Sequence, residues 1–254
     1  MELPLLSKAH IRRIARLHTK RHREEDRLFI AEGIRTVEEL ARSHYRARFL
    51  LCTRTAADEH LALVKVFRDR GVPVYAIDQQ VFARLADTKS PQGMLAIVEY
   101  PDEQPSAGNI IAFDGVADPG NAGTIARTAL LFGYRQLVFG NNSVDRYHPK
   151  FVRATMGALF HLHTTEQRLD TFLASMATTH SIIGAVAHGG MPLAQLSVPD
   201  KPHVLVIGSE AYGLSPSVEE HVTDRVTIEG AGSFDSLNAA VAAGIIMYHL
   251  FRPR

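Results

Sequence analysis

Three short stretches of this 254-residue chain gather polar side chains at spacings that suit chemistry. The first runs Asp114-Gly115-Val116-Ala117-Asp118-Pro119-Gly120-Asn121-Ala122-Gly123-Thr124-Ile125-Ala126-Arg127-Thr128-Ala129. Pro119 and Gly120 set a tight turn, and Asn121 is suited to cap a helix that begins at Ala122. At the helical period Asn121, Thr124, Arg127 and Thr128 share a stripe about 120° wide, opposite Ile125 and Ala129. A cation and three hydrogen-bonding groups on one face can hold an anion or orient a hydroxyl. A helix cap beside a solvated arginine accounts for the same residues.

The second stretch is Ile207-Gly208-Ser209-Glu210-Ala211-Tyr212-Gly213-Leu214. A strand running straight into Gly-Ser-Glu lets backbone groups approach a ligand where a Cβ would obstruct them, with Glu210 at the strand end. A glutamate that only caps the next turn is the plainer reading. The third stretch is Ile228-Glu229-Gly230-Ala231-Gly232-Ser233-Phe234-Asp235-Ser236-Leu237-Asn238, followed by an Ala- and Gly-rich segment. Ser236 is a natural helix cap. Small residues behind it allow close packing, either within the core or against a second subunit. Tight packing leaves the polar Asn238 unexplained.

These loops need a frame. Over residues 1–100 apolar runs at 49–52, 72–77 and 94–98 alternate with helical patterns at 36–43, 58–70 and 81–85, which predicts a small α/β domain. The Pro-, Gly- and acid-containing segment 101–108 has linker composition. Beyond it, strands are expected at 109–113, 136–139, 182–186, 204–207 and 225–228. Helices are expected at about 122–132, 150–159 and 169–180 and from Ser236 onward. Alternation of that kind predicts a mostly parallel sheet covered on both faces, with ligands at the carboxyl ends of its strands. The division is therefore 1–100, a linker 101–108, and a domain 109–254.

Composition narrows the class. Apolar residues make up 46%, and 28 Lys+Arg face 27 Asp+Glu, as in an ordinary globular chain. The longest apolar stretch, 237–251, is shorter than the about 20 residues of a membrane span and carries Asn238 and His249. The N-terminus carries no signal-peptide pattern. The single Cys52 forms no internal disulfide, which suits the cytoplasm, and the 13 His lack companion ligand patterns for a metal. The near-zero net charge hides an asymmetry: residues 1–50 hold 12 Lys/Arg against 7 Asp/Glu, while residues 101–254 hold 10 against 14. Arg12, Arg13, Arg16, Lys20, Arg21 and Arg23 cluster with His18 and His22, which makes RNA or DNA a partner to expect. Arg12, Arg16 and Lys20 at i, i+4 equally describe a solvated helix face.

Taken in order, Asp-x-x-x-Asp-Pro-x-Asn-x-Gly-x-x-x-Arg-Thr-Ala, Gly-Ser-Glu-x-x-Gly-Leu and Ser-Leu-Asn before an Ala-rich helix resemble the three motifs of the SpoU/TrmH family of SPOUT RNA 2′-O-methyltransferases. Leu28-Phe29-Ile30-Ala31-Glu32-Gly33 and Ser90-Pro91-Gln92-Gly93 are similar to the family's L30e/L7Ae-like substrate-binding domain. The resemblance implies a parallel-sheet domain with a deep trefoil knot at the C-terminus, S-adenosyl-L-methionine as cofactor, and a homodimer formed by the C-terminal domain. It implies an RNA partner, ribosomal ahead of transfer RNA. By motif position Gly208, Ile228 and Leu237 correspond to cofactor contacts. Asn121, Arg127, Glu210, Ser236 and Asn238 correspond to the polar active-site set. The chain departs from the family at one place, where Glu229-Gly230 replace the usual Pro-Met and add a negative charge beside the cofactor loop.

The implied reaction is an in-line attack of a ribose 2′-hydroxyl on the sulfonium methyl. Arg127 is the implied activator. A guanidinium keeps its proton, so its expected part is to hold the developing alkoxide and an adjacent phosphate. Asn121 and Asn238 are expected to orient ribose or Arg127, Glu210 to fix that network, and Ser236 to cap the helix. Two other classes compete: a catalytically silent RNA-binding module of the same fold, and a nicotinamide oxidoreductase, which the lack of an early Gly-x-Gly-x-x-Gly disfavours.

Overall fold

The computed structural model describes residues 3–102, 107–231 and 236–252. In chain order its elements are α1 (Lys8–Arg16), α2 (Lys20–Asp26), β1 (Leu28–Glu32), α3 (Ile34–Arg42), β2 (Ala47–Cys52), α4 (Arg54–Glu59), α5 (Leu61–Asp69), β3 (Val74–Ala76), α6 (Gln79–Leu85) and β4 (Met94–Glu99). Then come β5 (Ile110–Asp114), α7 (Pro119–Leu131), β6 (Gln136–Phe139), α8 (Pro149–Ala154), β7 (His163–Glu166), α9 (Leu169–Met176), β8 (Ser181–Ala185), β9 (Met191–Pro192), β10 (His203–Gly208), α10 (Pro216–Glu219), β11 (Asp224–Thr227) and α11 (Ala239–Leu250). The chain forms two compact units. One runs to Asp102 and also takes in Tyr147–Phe160; the other holds the rest.

In the first unit four strands lie in the order β1-β4-β2-β3, antiparallel except for the parallel pair β2/β3. Alternate residues serve two faces. Ile30, Leu51, Leu95 and Ile97 join Ile14 of α1, Leu17 just beyond its end, and Phe82 and Leu85 of α6 in one cluster. From β1, Phe29 instead stacks on Tyr147 with ring centroids 4.5 Å apart, and Tyr45 meets Phe160 edge-on at 5.2 Å. Burying each such ring contributes about 1.5–3 kcal/mol. Arg153 of α8 donates to Asp87 at 3.0 Å and lies 3.8 Å from the buried Glu32 carboxylate, which also accepts from the Asp87 amide and the Thr88 hydroxyl. Residues 147–160, which follow β6 in the chain, are thus part of this core.

The second unit is a seven-stranded, wholly parallel sheet in the order β7-β6-β5-β10-β8-β11-β9. Its central strands read Ile110-Ile111-Ala112-Phe113 and Val204-Leu205-Val206-Ile207, all buried, as strands covered on both faces must be. The edges β7 and β9 escape a hydrophobicity reading because one is polar and the other has two residues. No helix among the described residues is long and apolar enough to cross a membrane. Nor do the described residues include a group of three His, Cys, Asp or Glu placed to hold a metal ion.

Two helix starts differ from expectation. The cap of α7 is Asp118, whose carboxylate accepts from the Asn121 amide at 2.7 Å, with Pro119 in the first helical position. Proline suits that position because its missing N–H would have no intrahelical partner. Asn121 is therefore inside the helix, and its side chain is free for other work. Likewise α11 is capped by Asn238, whose Oδ1 accepts from the amides of Ala240 and Val241, and Ser236 lies in the preceding coil.

Candidate active site

The carboxyl ends of β5 and β10 lie side by side, with Gly208 in register with Asp114. Asp114 accepts from the Ser215 amide at 2.6 Å and from its hydroxyl at 3.2 Å, which pins the return of the loop after β10. Within that loop Ser209 and Gly213 exchange both backbone hydrogen bonds, at 3.0 and 2.9 Å. Gly213 has φ +69, and a Cβ on Gly208 would come within 2.4 Å of the Gly213 carbonyl carbon. Glycine is needed at both positions. The resulting tight turn presents Glu210 and Tyr212 to solvent, with Tyr212 91% exposed.

Glu210 is held there by a relay of amides. Asn121 Nδ2 donates to Glu210 Oε1 at 2.8 Å, and Asn238 Nδ2 donates to Asn121 Oδ1 at 2.9 Å. Asn238 Oδ1 in turn accepts from the first amides of α11. Every donor in this chain points from the α11 start toward the Glu210 carboxylate, so each bond polarises the next. The carboxylate terminus fixes which way each amide faces, because the opposite assignment would set oxygen against oxygen. Glu210 Oε2 has no hydrogen bond to a described residue.

Arg127 stands apart from the relay. It lies six residues beyond Asn121 on the exposed face of α7, about 9 Å along the axis, and makes no ion pair or hydrogen bond among the described residues. Asn121 and Asn238 therefore orient each other and Glu210 and do not touch Arg127. Ser236 is exposed just before Asn238. The opposite face of α7, from Ala122 through Ile125, Ala126 and Ala129, is buried as the periodicity requires.

Gly208 ends β10, and Ile228 immediately follows β11. These strands flank β8, so their ends are about 10 Å apart. Leu237 is 48% exposed in front of α11. Within the third stretch, Gly232-Ser233-Phe234-Asp235 lie outside the described residues. Two groups missed in the sequence are Asp114 and Asp118, which shape the loops on either side of Asn121. An acidic residue at a strand end before glycine, and another directly before Pro-Gly, were the available signals.

The six basic positions of the N-terminal cluster separate in the structure. Arg12, Arg16 and Lys20 do not share one helix, because the chain breaks at Leu17-His18-Thr19 between α1 and α2. Arg23 is 1% exposed and donates to the Leu17 carbonyl at 2.7 Å, so it is a core residue that satisfies the end of α1 and not a phosphate ligand. Arg13 donates from Nε and Nη2 to the two carboxylate oxygens of Asp26, Arg21 pairs with Glu25 at 2.7 Å, and Lys20 lies 3.6 Å from Glu24. Arg12 and Arg16 are exposed.

Residues 108–248 match the SpoU rRNA Methylase family, and residues 8–96 match the MRM3-like substrate binding domain. Among curated relatives, the chain is 28% identical over 240 residues to 23S rRNA (guanosine(2553)-2′-O)-methyltransferase RlmP of Bacillus subtilis, covering 92% of this chain and 93% of the relative. A TrmH-family protein from Porphyromonas gingivalis superposes with a TM-score of 0.84 at 32% identity, covering 97% and 98% of the two chains. An AdoMet-bound rRNA methyltransferase from Sinorhizobium meliloti superposes with a TM-score of 0.85 at 26% identity, covering 98% and 97%.

Proposed function

The chain belongs to the SpoU rRNA methylase family, and we propose that it transfers the methyl group of S-adenosylmethionine to a ribose 2′-hydroxyl of ribosomal RNA. The observation that carries this reading is the directed relay from Asn238 through Asn121 to Glu210 at the joined ends of β5 and β10. A silent RNA-binding module would have no use for it.

The donor chemistry fits the cofactor. Glycine backbone at Gly208, the strand end at Ile228 and the apolar Leu237 suit a flat heterocycle and a chain of mixed polarity. The carboxylates of Glu210 and Glu229 favour a cationic sulfonium. When bound, S-adenosylmethionine supplies an electrophilic methyl group. The protein's part is alignment and charge stabilisation. Glu210 Oε2, held by Asn121, accepts from a hydroxyl or amine of the ligand. Arg127, exposed and without a carboxylate partner, meets the ribose oxygen as negative charge develops and holds a neighbouring phosphate. Its guanidinium does not surrender a proton, so it acts as a fixed cation.

Residues 1–100 together with 147–160 form the RNA-binding part, and 109–254 without that insertion forms the methyltransferase. The strand order supports a knotted C-terminal domain: after β8 the chain goes out to β9, returns beyond β8 to β10, and then inserts β11 between β8 and β9. Exposed Leu131, Val241, Ile245 and Tyr248 on the adjacent helices α7 and α11 form an apolar face of the kind a second copy covers. Sedimentation should show a dimer at micromolar concentration. The cytoplasm is the compartment such a substrate requires.

The reading is tested by incubating the protein with labelled S-adenosylmethionine and 23S ribosomal RNA. Label is expected in a single 2′-O-methyl nucleoside; label in a base, or none, opposes it.

A further inference from the structure

One cationic concave surface of the first unit lies apart from the basic cluster that stands out in the sequence and shares only Arg13 with it. It is a groove of about 1150 Å³ at the end of the sheet where β1, β2 and β3 begin and β4 finishes. Five arginines line it, Arg13, Arg27, Arg46, Arg48 and Arg70, against only two carboxylates, Asp26 and Glu99. Asp26 is already bound bidentately by Arg13, and Glu99 faces Arg48 at 3.4 Å. Arg27, Arg46 and Arg70 have no carboxylate partner among the described residues, and all three are exposed. Arg48 is the extra residue of a bulge, since Ala47 pairs with Val98 but Phe49 with Ile97. Bulges of this kind re-aim a side chain at a strand end.

Between these cations lie half-exposed aromatic rings. Phe49 and Tyr75 stand edge-on to each other at 5.9 Å, and Arg27 sits 5.4 Å over the Tyr100 ring. Guanidinium groups interleaved with rings form a surface for bases and phosphates together, because every base has a π-face and every linkage a negative charge. A small anion would need neither the rings nor the size, which exceeds the about 300–1,000 Å³ of a small-ligand pocket.

We propose that this groove is the path of a single-stranded or looped segment of the RNA substrate, with Arg27, Arg46 and Arg70 on phosphates and Phe49 and Tyr75 against bases. The assignment rests on the RNA-methyltransferase reading and adds where the strand is held. It displaces the emphasis from the helical cluster, in which Arg23 is buried and Arg13, Lys20 and Arg21 are committed to carboxylates.

The test uses the full chain and 23S ribosomal RNA transcripts, with binding measured across a salt series. Arg46→Ala/Arg70→Ala should weaken binding and make the slope of log K against log salt shallower by about 1.4, as expected for two phosphate contacts on a single strand. A flattening nearer 1.8 would indicate duplex and overturn the single-strand assignment. Tyr75→Leu, which keeps an apolar filler beside the core, should weaken binding about tenfold with the slope unchanged. Both variants should melt as the wild type does and bind S-adenosylmethionine equally well. Arg12→Ala/Arg16→Ala, outside the groove, should change little. Wild-type slope and affinity in the groove variants, or an equal loss from the Arg12/Arg16 pair, overturns the groove alone. Undiminished RNA binding together with lost binding to polyglutamate would give the groove to an acidic protein and also overturn it. Failure of the wild type to bind 23S RNA overturns the RNA reading itself.

Discussion

Asn121 and Asn238, 117 residues apart in the chain, are joined amide to amide at 2.9 Å, and the Asn121 amide continues the line to Glu210. One asparagine side chain therefore does two tasks at once. Asn238 Oδ1 caps α11 while its Nδ2 starts the relay, so the two functions can be separated by substitution.

Asn238→Asp keeps the capping oxygen and removes the donor. It should leave the melting temperature close to wild type and lower kcat/KM by about 10- to 100-fold, the loss of a hydrogen bond in a charged network. Asn238→Ala should lose as much activity and in addition about 0.5–2 kcal/mol of stability, as the cap disappears. Urea denaturation of the two variants side by side checks the separation. Equal stability loss in both would contradict it.

Arg127 carries no structural load, being exposed and unpaired among the described residues. Arg127→Ala should change unfolding free energy by less than about 0.5 kcal/mol, as surface substitutions do. It should still reduce kcat about 100- to 1,000-fold if the side chain faces the developing alkoxide. Near-normal turnover of Arg127→Lys at saturating RNA would show that a point charge suffices and that the planar fork is not needed.

The segment Tyr147–Phe160 belongs to the first unit's core. A fragment ending at residue 102 should lack a cooperative thermal transition, because Phe29 and Tyr45 lose Tyr147 and Phe160. Deleting residues 1–100 strips the same rings from the other side, so point substitutions are the cleaner probe of RNA binding. Arg153→Leu removes the cation beside Glu32 and should destabilise the unit by about 1–3 kcal/mol, read as a lower urea midpoint.

Burial also sets a pH dependence. His203 is 3% exposed, and its imidazole meets the Tyr134 hydroxyl at 2.6 Å. Desolvation first, and the nearby His180 second, push its pKa down from 6.5 to about 4. The unfolded chain takes up a proton near 6.5 that the folded chain refuses until about 4. Stability from this site is therefore intact above pH 6.5 and declines as pH falls toward 4, by up to roughly 3 kcal/mol. His203→Gln should flatten the acid limb of the stability curve between those values. An unchanged limb would assign the acid sensitivity elsewhere.

Much of this fold is legible in the sequence because its signals are local. The short buried runs of β5 and β10, set between helical patterns, read as parallel core strands, and the loops that follow them carry the glycines and polar residues of the site. The misses are tertiary. Nothing between Val116 and Leu131 says that Asp118, not Asn121, closes the first turn, apart from the proline that favours the position after a cap. No glycine or proline marks the break between α1 and α2, and Arg23 is buried because the Leu17 carbonyl needs a donor there. That residues 147–160 leave one unit to complete the other depends on Phe29 and Tyr45, more than a hundred residues earlier. The groove escapes notice because Arg27, Arg46 and Arg70 are scattered in sequence and meet only through the strand order.

Methyl transfer to a ribose hydroxyl governed by the Asn238–Asn121–Glu210 relay can be followed by nucleoside mass spectrometry of 23S ribosomal RNA treated with S-adenosylmethionine and either the wild type or Asn121→Asp. One new 2′-O-methyl nucleoside is expected with the wild type and its near-absence with the variant, which sets an acceptor against Glu210 while keeping the fold. A base-methylated product, or equal 2′-O-methylation by both proteins, would contradict it.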